Sequence, residues 1–384
     1  MGSFIWPPGL TVRVPAPDDV MKILHLIYDH INNPWVGGGG AVRVRELYRR
    51  MSDRHEITVV CGKYPGAENY NEDNIRYEYV GSNRNNYVLS TFCYAAKAAQ
   101  YVKTNARNYD IVVEDFAPYN PAFSFLRHKN AVLQLHQREG LRHLKKYAVL
   151  GIPFLVIEKF YPRLFRNALA ELPEAKKKFG LRGNVRIMPN GFDPKLLSLE
   201  PEEEDYMLFI GRFHINQKGL DTLSEVMRLV GLRLVIVGGG KDEQAVKTLF
   251  KDTVETGRAE FAGYAWGEKK EELLRKCLFM VVPSRYEGQP LIIMDAAACG
   301  KPVIVSDIPE LKYAVHAGFG LSFKMGDAID LAAKMNLLIA DVSLRQKMGM
   351  RAREYARNFT WDNIAEDYEQ YLLSVAGESG RGPG

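Results

Sequence analysis

The chain has 384 residues, 46% hydrophobic and 25% charged, with 51 Lys+Arg against 46 Asp+Glu for a formal charge of +5. These proportions exclude a collagen, a disulfide scaffold and a wholly disordered chain, and a domain size of about 150 residues favours two domains. The charge is unevenly placed, +10 over residues 1–190 and −5 over residues 191–384, so it does not by itself point to nucleic acid.

Residues 1–20 hold Pro7, Pro8, Pro15 and Pro17 without the apolar core of a signal peptide. They read as leader or added sequence ahead of a start at Met21. Strand-like runs follow at Lys22–Tyr28, Glu56–Cys61, Ile75–Val80, Tyr109–Glu114 and Ala131–His136. A second series runs through Val185–Met188, Tyr206–Gly211, Leu232–Val237, Leu278–Val282 and Pro302–Ser306. Most are continuous Val/Ile/Leu runs, the mark of parallel strands covered on both faces by helices. The turn from Pro189 to Pro194 and the acidic stretch Glu200–Asp205 separate the series. The expected division is 21–190, 191–358, a helix over 359–377 and a Gly-rich disordered tail over 378–384. Cys61, Cys93, Cys277 and Cys299 show no metal-ligand spacing, which favours buried free thiols in a reducing, cytoplasmic setting. No run is long enough to span a membrane.

Chemistry concentrates at strand ends in the second half. Gly211-Arg212-Phe213-His214-Ile215-Asn216-Gln217-Lys218-Gly219 follows a strand, where ligands of open α/β sheets bind. Arg212 and Lys218 could neutralise a departing diphosphate, although a solvated charge pair is the simpler reading of that loop alone. Gly238-Gly239-Gly240 ends the next strand; it is not a dinucleotide fingerprint, and a tight turn explains it equally well. The strongest constellation is Glu287-Gly288-Gln289-Pro290-Leu291 through Asp295 to Gly300. Pro290 and Gly300 bracket a helix over 290–299, whose N-terminus favours an anion. Glu287 also suits the helix dipole. An unpaired Asp295 in an apolar run would be costly, which favours a functional role.

This stretch resembles the paired-acid signature of retaining glycosyltransferases of family 4, with the GT-B fold. Pro283-Ser284 before Glu287, Gly300-Lys301-Pro302-Val303 after it, the loop at 211–219, Asn190-Gly191-Phe192-Asp193 and Phe261-Ala262-Gly263 extend the likeness over residues 21 to about 375. The resemblance implies an α/β protein of two Rossmann-like, doubly wound parallel-sheet domains facing a central cleft. It implies transfer of a hexosyl-type sugar from a nucleotide-diphosphate sugar to the hydroxyl of a glycan, glycolipid or small molecule, with retention and without a metal or other cofactor. Arg212 and Lys218 would hold the diphosphate, Glu287 the transferred sugar, and Gly211, Gly238, Gly288, Gln289, Pro290 and Leu291 would line the donor. Asp295 would meet the ribose, although the family has Glu there. Gly263 and Tyr264 would approach the base.

In the first half, Gly37-Gly38-Gly39-Gly40 leads into a helix. It can cradle phosphate or act as a connector. The resemblance sets Gly39 and Gly40 against the donor phosphate, with Arg43 adding charge, and His136 beside the donor sugar. It also has the 359–377 helix pack back on the first domain. Family members have a clear apolar strand where Asn167–Pro173 is short and polar, so that strand is expected to be degenerate or lost. The segment Leu141–Arg166 mixes bases with apolar residues. A solvated face on a core helix competes there with a peripheral membrane contact at an inner membrane face or a lipid-linked, anionic acceptor. The competing functions are a nucleotide-sugar epimerase or phosphorylase of the same architecture and a non-catalytic sugar-nucleotide-binding protein.

Overall fold

The computed structural model describes residues 20–377, so the readings of residues 1–19 as leader and 378–384 as tail lie outside the described residues. The chain forms two compact units. Among the described residues, one holds 20–190 together with Trp361–Gly377; the other is Gly191–Thr360.

The first unit carries β1 (Lys22–Ile27), β2 (Glu56–Gly62), β3 (Tyr70–Glu72), β4 (Ile75–Val80), β5 (Ile111–Asp115), β6 (Ala131–Leu135), β7 (Asn167–Ala170) and β8 (Asn184–Ile187). Their order is β3-β4-β2-β1-β5-β6-β7-β8. Every neighbouring pair is parallel except the β3–β4 hairpin. The second unit carries β9 (Tyr206–Ile210), β10 (Arg233–Val237), β11 (Ala259–Gly263), β12 (Phe279–Val282), β13 (Val303–Ser306) and β14 (Gly320–Phe323), ordered β11-β10-β9-β12-β13-β14 and wholly parallel.

Both sheets grow outward in two directions from their first strand. The order therefore reverses between β1 and β5 in one sheet and between β9 and β12 in the other. At such a reversal the flanking crossovers leave on opposite faces and open a crevice beyond the carboxyl ends of the strands. Strand composition explains why the sheets form. Ile23, Leu24, Leu26, Val112 and Val113 in the first unit, and Met207, Leu208, Leu234 and Ile236 in the second, are fully or almost fully buried. Cys61, Cys277 and Cys299 are buried free thiols and Cys93 is half-buried.

Four strands, β3, β7, β11 and β14, are absent from the runs read in the sequence. β7 corrects a specific expectation, because Asn167-Ala168-Leu169-Ala170 is neither lost nor degenerate. All four residues are buried and pair in parallel with β6 and β8. Their strand character comes from the two neighbours rather than from intrinsic preference, which alanine lacks.

The last helix, Trp361–Gly377, packs within the first unit on the helix Gly39–Tyr48. Tyr368 and Tyr48 hydroxyls lie 3.2 Å apart. Glu369 accepts two bonds from Arg54, at 2.9 and 2.6 Å, and meets His55 Nε2 at 2.8 Å. Burial works to raise the pKa of Glu369, but His55 and Arg54 outweigh it and bring the carboxyl down to about 2. Among the described residues, no helix is long and apolar enough to cross a membrane.

Candidate active site

In the second unit, the loops after β9 and β12 clasp each other at the reversal point. Lys218 ends the one-turn helix Ile215–Lys218, and Gly219 then takes φ +64° before the helix Leu220–Val226. Any side chain at Gly219 would collide with the carbonyl oxygen of Pro283, so glycine lets one loop lie on the other. Arg285 strengthens the clasp. Its N–H donates to Gln217 O at 2.8 Å, and its guanidinium pairs with Asp221 at 2.6 Å.

This arrangement brings Lys218 Nζ to 2.5 Å from Glu287 Oε1, and Ser284 Oγ donates to the same oxygen at 2.7 Å. The two side chains are 15% and 8% exposed, so the pair is shielded yet reachable. Arg212 is exposed, and its side chain has no hydrogen-bond or ion-pair partner among the described residues. Gly238 has φ +136°, and a side chain there would strike the Gly211 carbonyl. Its lack of a Cβ serves packing between the β9 and β10 loops. Gly263 follows at the end of β11 with φ +69° and open space around it, and Tyr264 is 61% exposed.

Gly288, Gln289 and Pro290 lead into the helix Leu291–Ala298, which starts one residue later than expected because Pro290 is extended, with ψ 121°. Asp295 is buried on that helix, but it is not unpaired. Lys270, from the helix Gly267–Lys276, reaches it at 3.0 Å. The burial argument from sequence is corrected accordingly: an ion pair offsets the cost of the acid. Asp295 in turn raises the pKa of Lys270.

In the first unit, the strand ends around the reversal collect a second cluster. Gly39 and Gly40 open the helix Gly39–Tyr48, whose entry is held by Asp29 accepting from Gly38 N at 3.1 Å. A Cβ on Gly40 would lie 3.7 Å from His136 Nε2, so the glycine brings the helix start close to the histidine. His136, just after β6, sits between two acids. Its Nε2 is 3.1 Å from Asp115 Oδ2 and its Nδ1 is 2.6 Å from Glu171 Oε1. Burial disfavours charge on the ring, yet Asp115 and Glu171 outweigh it and push the pKa up to about 10. Asp115 moves the opposite way: burial would raise it, but His136 and His25 hold it well below the usual carboxylate range. Behind Asp115, His25 Nε2 lies 3.4 Å away. His25 Nδ1 contacts the Tyr48 hydroxyl at 2.7 Å, which meets Tyr368. A buried polar line thus runs from the last helix to His136.

Arg43 departs from its expected role. It is 1% exposed and donates to Met188 O, Pro189 O and Asn190 Oδ1 at 3.1, 2.8 and 2.8 Å. It pins the end of the first unit's chain and has no reach to a phosphate. Sequence reading missed Asp115, Glu171, His25, Asp29 and Lys270. Asp115 stands one residue past a predicted strand end. Glu171 lies within the stretch that was read as a damaged strand, just after β7.

A family model described as "Glycosyltransferase Family 4" matches residues 37–196, and one described as "Glycosyl transferases group 1" matches residues 197–355. The chain is a glycosyltransferase of the GT-B type. An uncharacterized glycosyltransferase of Methanocaldococcus jannaschii is 25% identical over 357 residues, covering 89% of this chain and 96% of that one. The structure is similar to sucrose-phosphate synthase from Thermosynechococcus elongatus, with TM-score 0.79, 20% identity and coverage of 93% and 100% of the two chains. It is also similar to HepE of Anabaena in complex with UDP and glucose, with TM-score 0.71, 20% identity and coverage of 92% and 100%. In this GT-B glycosyltransferase the two polar clusters stand at equivalent places, each at the reversal point of its own sheet.

Proposed function

We propose that this chain is a retaining, family 4 hexosyltransferase that draws its sugar from a nucleotide-diphosphate donor without a metal. The observation that carries the reading is the shielded Lys218–Glu287 pair beside a helix N-terminus at the β9/β12 reversal. A diphosphate arriving there would take Lys218 as a counterion, joined by Arg212 and the backbone N–H groups around Gly288–Leu291. Glu287, relieved of its lysine, would be free to accept hydrogen bonds from sugar hydroxyls. One bond forms, from the acceptor oxygen to the anomeric carbon, and one breaks, from that carbon to the diphosphate oxygen. The electron pair leaves with the phosphate, which takes the acceptor proton on the same face. A positive His136 suits donation to an oxygen rather than removal of a proton. Asp295 would meet the ribose only by sharing with Lys270.

HepE was solved with UDP and glucose, so UDP-glucose is the first donor to test. A thermal-shift panel of nucleotide-sugars, then turnover with the stabilising donor and the anomeric configuration of the product by NMR, tests the reading. No shift with any donor would remove it; an inverted product would remove retention alone. A lysine-bound pyridoxal absorption band would favour a phosphorylase.

A further inference from the structure

β1 reads Lys-Ile-Leu-His-Leu-Ile, and every residue after Lys22 is buried. His25 stands where a leucine would fill the space without the cost of burying a polar ring. Its two nitrogens face different partners. Nε2 lies 3.4 Å from Asp115 Oδ1. Nδ1 lies 2.7 Å from the Tyr48 hydroxyl, which is 3.2 Å from that of Tyr368. His25, Tyr48 and Tyr368 are all fully buried. The last helix does not need this line in order to dock. Trp361, Ile364, Leu372 and Val375 are buried on it, and Tyr371 on the same helix bonds the carbonyls of Ala168 and Asn184.

Donors and acceptors give the line one direction. Against burial, His136 and His25 keep Asp115 ionised, and a carboxylate can only accept. The His25 nitrogen that faces it, Nε2, therefore carries the ring proton. Nδ1 of the neutral ring is then an acceptor, so Tyr48 donates to it, and the Tyr48 oxygen is left to accept from Tyr368. Burial raises the pKa of both hydroxyls, which keeps the donated protons in place. The line ends on the carboxylate whose second oxygen lies 3.1 Å from His136 Nε2. One oxygen of Asp115 thus faces each histidine. Fixing His25 limits rotation of the carboxylate, and the carboxylate orients the His136 ring. We propose that His25, Tyr48 and Tyr368 are positioning residues for sugar transfer, through which the last helix holds His136 in its working orientation. The proposal rests on the sugar-transfer reading, in which His136 stands beside the donor sugar.

The test joins turnover of the full chain, with the donor that stabilises it, to NMR of the ring nitrogens in histidine-labelled protein. The His25 signals are assigned by their loss in His25→Gln. Tyr48→Phe should lower kcat about tenfold through misplacement of His136, leave the donor KM within about twofold, and move His25 out of the Nε2–H tautomer. Tyr368→Phe should do the same to a smaller extent. Tyr48→Phe/Tyr368→Phe should be no worse than Tyr48→Phe, because one hydroxyl acts only through the other. His25→Gln, which keeps an N–H for Asp115, should retain more turnover than His25→Leu. Tyr371→Phe takes a hydroxyl from the same helix without touching the line, and should leave kcat and the His25 signals unchanged. Donor-induced thermal stabilisation, retained in each variant, is the folding control. A wild-type His25 protonated on Nδ1, full turnover by Tyr48→Phe, additive losses in the double variant, or an equal loss in Tyr371→Phe would overturn the proposal. A wild type that turns over no donor would instead remove the sugar-transfer reading, while the His25 tautomer would still decide whether the line is polarised as described.

Discussion

Asp115→Asn is the sharpest perturbation of the first unit's polar cluster, because it removes a charge while keeping the side-chain volume. His136 is held charged by Asp115 and Glu171 against burial, with its pKa raised from 6.5 to about 10. A group whose pKa is raised on folding stabilises the protein fully below its unfolded value. That contribution fades as pH rises through the folded value. The window for His136 is therefore pH 6.5 to about 10. Losing one of two adjacent carboxylates should lower the pKa of His136 by about two units, worth about 2–3 kcal/mol. The variant should be less stable by that amount at about pH 6, by less at about pH 8, and by almost nothing at about pH 10. Urea unfolding at the three pH values measures the difference, and NMR of the histidine ring reports the pKa directly. A penalty that is the same at all three pH values would refute the reasoning, as would a wild-type His136 titrating near 6.5.

Lys218→Ala should lower transfer by about a hundredfold or more while the protein stays folded, since Ser284 still bonds Glu287; radiolabelled-sugar transfer measures it, and unchanged turnover would remove Lys218 from the site. Gly219→Ala combines a left-handed backbone with a collision on Pro283 O and should cost upward of about 3 kcal/mol, whereas Gly231→Ala, with open space around it, should move the urea midpoint little. Glu369, with its pKa lowered to about 2, stabilises the docked last helix above its unfolded value of 4.5, and that stability is lost as pH falls toward 2. Glu369→Gln should flatten this acid limb, and an unchanged limb in an acid titration of helicity would count against the Arg54–His55 anchor.

The sheets were legible because parallel strands buried on both faces write themselves as Val/Ile/Leu runs, as at Ile57–Val60 and Val303–Val305. β7 was not, because Asn167–Ala170 is a strand only by virtue of β6 and β8. The second unit's acids and bases were found through short motifs at strand ends. The first unit's cluster was hidden for a different reason. His25, Asp115, His136 and Glu171 lie on or just after four strands, β1, β5, β6 and β7, and no local spacing joins them. The pairing of Asp295 with Lys270 was also invisible, since it joins two helices 25 residues apart.

The docking of Trp361–Gly377 has a consequence for how the protein comes into being. Tyr48 and Tyr368 are separated by 320 residues, so the first unit is assembled from both ends of the chain. Gly191–Thr360 is one uninterrupted stretch and can close its core as soon as it leaves the ribosome. The unit that is synthesised first must wait for the last helix before Tyr48 and His55 find their partners. A chain truncated before residue 361 would keep every residue of the second unit while leaving Tyr48 and His55 without their partners on the last helix.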